Sequence, residues 1–142
     1  FALVTLLLAS SPFAHADFNG HRFGLGVGVA QLGDSEAYVA VGAEYEYRLA
    51  PMWGVGGFAN YIFSTPGITL VGIPMVYFHP IENDWYINAA PIAQFGGSKT
   101  EYGVRVGTRI PIYLGPVSVV PQASVDFIAG HRNLIFGLGI RI

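Results

Sequence analysis

The stretch EAYVAVGAEYEYRL, Glu36 to Leu49, separates into two interleaved sets. Glu36, Tyr38, Ala40, Gly42, Glu44, Glu46 and Arg48 form one; Ala37, Val39, Val41, Ala43, Tyr45, Tyr47 and Leu49 form the other. Side chains of a β-strand alternate between two faces, so a strict period of two marks a strand with two different surroundings. It does not say which is which. Either the apolar set packs a core and the charges meet water, or the apolar set is an outer wall and the charges line an interior.

Composition narrows the choice. The chain has 142 residues, enough for one domain. Hydrophobic residues make up 52% of it and charged residues 11%, against about 25% charged in ordinary globular domains. There is a single lysine, Lys99, so a conventional solvated surface is out of reach. Past the first residues no run approaches the roughly 20 apolar residues of a membrane helix. Nineteen glycines and nine prolines also oppose long helices. A very apolar chain without spanning helices points to a closed β-barrel in a bilayer. The net charge of −2, with no basic block, excludes electrostatic binding of nucleic acid. Without cysteine there is neither a disulfide framework nor a cysteine metal site.

The start fits export. FALVTLLLASSPFAHAD combines an apolar run from Phe1 to Ala9, Pro12, and the small-x-small pattern Ala14-His15-Ala16. These are the apolar region and cleavage site of a secretory signal peptide. Residues 1–16 are expected to be a leader, already truncated at its start, and 17–142 the barrel domain.

Seven further segments alternate like the first. They start at Phe23, Trp53, Ile68, Trp85, Glu101, Val117 and Asn133, and Ile68 to Phe78 is apolar on both faces, which leaves its phase open. Eight strands result, each near the 9–11 residues that a tilted membrane strand needs. The connections LGDS, APM, STPG, HPIEND, GGSKT, LGP and AGHR are short turn signals. None has room for a crossover helix, so successive strands should pair antiparallel. Pro91 and Pro121 fall inside strands, where proline cannot donate to the ladder; a bulge is expected at each.

Eight alternating strands suit a soluble lipocalin-like barrel with an apolar cavity or an outer-membrane barrel with an apolar outside. The more polar face carries Gly24, Gly26, Gly28, Gly42, Gly54, Gly56, Gly103, Gly107, Gly137 and Gly139. A water-facing surface has no reason to be so small-residued. A narrow lumen does, because large side chains need room opposite them. Aromatic residues gather at the ends of the apolar face: Tyr45, Tyr47, Trp53, Trp85 and Tyr113 at one end, and Phe63, Phe95 and Phe127 at the other. Such rings form the girdles of membrane barrels at the lipid–water boundaries. The expected fold is therefore an all-β, eight-stranded, antiparallel up-and-down transmembrane barrel.

With these features, residues 17–142 resemble the small eight-stranded outer-membrane proteins, the OmpA transmembrane domain and OmpX-like group. The resemblance is one of architecture, ending in the closing strand NLIFGLGIRI, and it departs from the group at Ile142, where an aromatic residue is usual. It implies the outer membrane of a Gram-negative envelope, both termini in the periplasm, lipid and the barrel-assembly machinery as partners, and a monomer.

The lumen face carries Glu44, Glu46, Glu101 and Asp126 against Arg48, Arg105, Arg109 and Arg141. Enclosed charges are costly unless paired, so these are expected to form a salt-bridge network. Strand positions put Glu46, Arg48, Arg109 and Arg141 toward the periplasmic end, Glu44 and Arg105 near the middle, and Glu101 and Asp126 toward the outside. Phe58, Phe78 and Tyr86 are expected to complete the filling, with Glu44 and Arg105 as the constriction of any path. Lipid-A-modifying enzymes use barrels of this size, but the His-x-Ser motif of the barrel deacylases is absent. His21, His79 and His131 are dispersed and form no nucleophilic triad or metal cluster. No enzyme, metal or cofactor is expected. The reading is a plugged, salt-bridged barrel with a structural or small-solute role. The alternatives are a narrow, porin-like channel for ions or small solutes, a lipid-modifying barrel enzyme, and a soluble ligand-binding barrel.

Overall fold

A computed structural model describes residues 20–34, 36–81 and 85–142; the expected leader lies outside the described residues. The chain runs through β1 (His21–Leu32), β2 (Ala37–Ala50), β3 (Trp53–Ile62), β4 (Ile68–Ile81), β5 (Trp85–Gly96), β6 (Lys99–Arg109), β7 (Ile112–Leu114), β8 (Val117–Ile128) and β9 (His131–Arg141). All pairings are antiparallel, and β1 pairs with β9. β6 and β7 are two lengths of one stave. Arg109 faces Gln122 and Ile112 faces Val119, so the register on β8 continues across Ile110 and Pro111. Eight staves thus close into a barrel. Across the seam the Phe23 N–H donates to the Ile142 carbonyl at 3.2 Å, and the Ile142 N–H returns to Phe23 at 2.9 Å.

The turns follow from local chemistry. Ile128 pairs with His131 around Ala129 and Gly130, whose φ values are +49° and +81°. Two positive φ values make the tight hairpin turn whose twist matches the strands. One end of the barrel carries Gly20, Ile142 and the β2–β3, β4–β5 and β7–β8 connections, and is termed the terminal end. The other carries the remaining four hairpins and is termed the loop end.

Outward positions are apolar and open. Phe23, Leu25, Val27, Val29, Val39, Val104, Val106, Phe136 and Leu138 are each 39–58% exposed. Toward the loop end the interior holds a buried apolar layer of Ala30, Ala40, Ile62, Leu70, Ile92, Ile128 and Ile135. The terminal half instead buries Glu46, Tyr77, His79, Tyr86, Asn88 and Arg141. The aliphatic residues need only fill space, whereas every buried polar group needs a partner.

β4 settles the phase left open above. Gly72 faces Phe58, and the next partners on β3 are Met75 and Gly56. Ile73 and Pro74 together oppose only Gly57, so β4 bulges by one residue. Before the bulge the even positions Leu70 and Gly72 point inward; after it Met75, Tyr77 and His79 do. Ile73 is pushed out to 70% exposure. Phe78 therefore does not fill the lumen as expected; it faces outward, its ring 4.9 Å from that of Trp53. The bulge expected at Pro91 does not form in β5: the extra residue between the Gly72–Ile92 and Val76–Ala89 pairs belongs to β4, and the β6 side of Pro91 is regular. The bulge expected at Pro121 does not form, because the registers on both sides run unbroken. The Ile110 N–H still donates to the Pro121 carbonyl at 3.2 Å, so this proline removes a donor without shifting the strand.

Deleting Pro74 leaves Ile73 alone opposite Gly57, so the ladder becomes regular and Tyr77 and His79 keep pointing inward. The deletion variant and Pro74→Ala should therefore both fold. Heat-modifiable gel mobility after refolding into liposomes checks this; loss of native mobility in the deletion variant would show that the bulge itself is required.

Candidate functional site

The interior charges fall into two separate groups. In the first, Arg105 on β6 faces Asp126 on β8 directly in register. Nε and Nη2 of the arginine donate to the two carboxylate oxygens at 2.6 and 2.7 Å. This is the two-pronged geometry that suits a guanidinium. The Phe58 ring stacks on the guanidinium with its centroid at 4.0 Å. With the Asn60 amide oriented to suit its neighbours, its oxygen accepts from Arg105 Nη1 at 2.7 Å and its nitrogen donates to the Ala59 carbonyl. A charge pair at 1% and 0% exposure thus has its polar atoms engaged. Asp126 stands level with Arg105 rather than nearer the loop end.

The second group occupies the terminal half and centres on Glu46. His79 Nε2 lies 2.6 Å from Glu46 Oε1, Arg48 Nε lies 3.5 Å from the same oxygen, and Arg141 Nη2 donates to Oε2. Arg48 Nη2 meets His79 Nδ1 at 3.1 Å. A guanidinium offers only donors, so Nδ1 accepts and the imidazole proton sits on Nε2, facing the carboxylate. Rings close the cluster: His79 lies 4.8 Å from Tyr86, and Arg141 packs over Tyr86 at 5.0 Å. Alongside, Arg109 pairs with Glu44, and the Tyr77 hydroxyl donates to Glu44 Oε2 at 3.4 Å. Glu44 and Arg105, named above as the constriction of any path, fall in different groups, and each takes another partner. Near the loop end Glu101 accepts from Gln94 Nε2 at 3.3 Å.

The small residues of the wall make this filling possible. A Cβ at Gly72 would run into the Phe58 ring, and one at Gly54 into the Glu46 carboxylate. Between Gly24, Gly26, Glu44, Gln122, Arg109 and Arg141 a cavity of about 30 Å³ remains. A buried water needs about 10–15 Å³ of such space, so it has the scale of one or two waters and not of a solute.

The outer wall places the aromatic residues as follows. Trp53, Phe63, Phe95, Tyr113 and Phe127 are about half exposed, and Tyr47 is 39% exposed. Tyr45 is partly covered by His21, whose Nδ1 lies 2.5 Å from the tyrosine hydroxyl. Trp85 is also partly covered, its Nε1 donating to Thr108 at 2.5 Å. Tyr61 and Tyr102 also stand on this wall, the latter 74% exposed, although they were not among the aromatic residues expected at its ends. Sequence reasoning missed His79 and Tyr77 in the lumen. Their signal was present in the alternation Met75, Tyr77, His79 against Val76, Phe78, but only a reader who reset the phase at Pro74 would find it.

No protein-family model matches this chain, and no curated protein matches it in sequence. Crystal structures that share its fold include the following three. The N-terminal β-barrel domain of Pseudomonas aeruginosa OprF aligns with a TM-score of 0.67 at 10% identity, covering 84% of this chain and 95% of that one. Neisserial surface protein A gives 0.67 at 15% identity, covering 87% and 96%. Ail, the attachment invasion locus protein of Yersinia pestis, gives 0.52 at 12% identity, covering 86% and 96%. The chain has the fold of the small eight-stranded transmembrane β-barrels, and at these identities the likeness is one of fold.

Arg105→Ala should destabilise the barrel by about 3–5 kcal/mol, the usual effect of stranding a buried carboxylate. Arg132→Ala, in an exposed position at the start of β9, should change stability by about 0.5 kcal/mol or less. Urea titrations followed by the fluorescence of Trp53 and Trp85 make the comparison. Equal effects would mean that water screens the interior charges.

Proposed function

We propose that this chain is an integral outer-membrane protein, a monomeric β-barrel with a plugged, salt-bridged lumen and a structural or small-solute role. The observation that carries the reading is the inversion of the molecule: apolar side chains stand open all round the wall, while arginine–carboxylate pairs are buried within. Water would penalise that arrangement and hydrocarbon requires it. The neighbouring folds support the location, as these include OprF of Pseudomonas aeruginosa and the surface protein of Neisseria.

In this reading residues 1–16 are a cleaved leader, the terminal end lies in the periplasm, and the loop end faces outward. Tyr45, Tyr47, Trp53, Trp85 and Tyr113 then sit at the periplasmic lipid boundary, with Phe63, Phe95 and Phe127 at the outer one. The barrel-assembly machinery would insert the chain, using β9 with Ile142 in place of the usual aromatic residue. The plug consists of the apolar layer and the two ion-pair groups stacked along the axis. Eight staves leave an interior just wide enough for side chains to fill.

Val41 lies on the outward face in mid-strand, opposite Val27 and Tyr61. Val41→Arg should lower the folding free energy in bilayers by about 2–4 kcal/mol, the effect of an arginine near the midplane. An unchanged value would reverse the assignment of faces. The unmodified protein should give no steady porin-like current in planar bilayers; large stable openings would replace the plug with a channel.

A further inference from the structure

Carboxylates deep in the barrel are matched to cations. Glu46 has Arg141 and Arg48, beside the neutral His79; Glu44 has Arg109; Asp126 has Arg105. Glu101 breaks the pattern. It points inward near the loop end of β6, and among the described residues it accepts one hydrogen bond, from the neutral Gln94 amide. Asp34, in the β1–β2 turn beside it, makes no ion pair among the described residues. Both carboxylates line a cup of about 400 Å³ that opens at the loop end. Among the described residues the cup's lining holds no lysine or arginine, and His131 is its one basic side chain.

The floor of the cup is apolar. Leu32, Ile68 and Ile128 line it; Ile128 belongs to the buried layer, and the other two pack against that layer. The layer beneath is at most 4% exposed, so the cup is blind and not the mouth of a passage. Its rim is fixed in place. The Gly33 N–H donates to Asn133 Oδ1 at 3.1 Å and to the Arg132 carbonyl at 3.0 Å, tying the first hairpin to β9.

We propose that this cup is a binding site for a small organic cation, an ammonium group attached to a compact apolar body. The ammonium would supply the counter-charge that Glu101 and Asp34 lack, and the apolar body would cover Leu32, Ile68 and Ile128. A pocket lined with apolar groups and a few convergent polar atoms is the usual form of a small-molecule site. Binding needs only the folded barrel, so this proposal and the membrane reading fail separately.

The probe is benzylammonium chloride, with benzyl alcohol as its uncharged counterpart. Both are titrated into protein refolded in detergent micelles, its folding checked by gel mobility, and amide chemical shifts are followed by NMR. The expected result is saturable binding of the ammonium, with shifts at Gly33, Glu101 and Asn133. The alcohol should bind about tenfold more weakly, equivalent to about 1.4 kcal/mol. Glu101→Gln should cause a similar loss, and Asp34→Asn a smaller one in the same direction. Equal affinity for the two probes, no saturable binding, or shifts confined to outer-wall residues such as Val104 and Phe136 would overturn the proposal.

Discussion

The structure depends on closure of the β1–β9 seam. A sheet with free edges leaves a row of N–H and C=O groups without partners, and in hydrocarbon each costs several kcal/mol. The paired hydrogen bonds between Phe23 and Ile142, and the register that follows to Leu32 and Asn133, remove both edges at once. Once the sheet closes, one face of every strand is enclosed. Lumen charges then cannot be hydrated from the side and must neutralise one another within a narrow space.

That requirement explains how the interior is divided. Low dielectric strengthens ion pairs but also raises the cost of taking each charge out of water. Arg105 and Asp126 meet it through a two-pronged pair backed by Phe58 and Asn60. Glu46 meets it by gathering two arginines and a histidine. Each cluster needs the space that glycines on neighbouring staves leave open, so the small residues and the charges belong to one design. Toward the loop end Ile62, Leu70, Ile92 and Ile135 fill the same cross-section without polar atoms.

The bulge at Ile73 and Pro74 links backbone geometry to this chemistry. One extra residue in β4 reverses which side chains point inward. It brings Met75, Tyr77 and His79 into the terminal half and turns Phe78 onto Trp53. The histidine then completes the Glu46 cluster, and the Tyr77 hydroxyl reaches Glu44. A local irregularity in one strand thus supplies two polar members of the buried network.

By itself the sequence determined the number of strands, their antiparallel order and the direction in which most of them face. Those properties are written in period-two alternation and turn residues, which are local. Alternation around Glu46, Arg105 and Asp126 also marked them as inward charges, because parity needs no knowledge of neighbours. The sequence could not assign partners: which carboxylate meets which arginine depends on register between strands far apart in the chain. Hence Glu44 pairs with Arg109 and not Arg105. Nor could it separate Pro91, beside a bulge, from Pro121, in an unbroken register, since that difference lies in the opposing strands. The phase of β4 was hidden for a related reason. An insertion of one residue into an apolar run changes no local pattern, and only the ladders to β3 and β5 reveal on which side of the wall Tyr77 and His79 end.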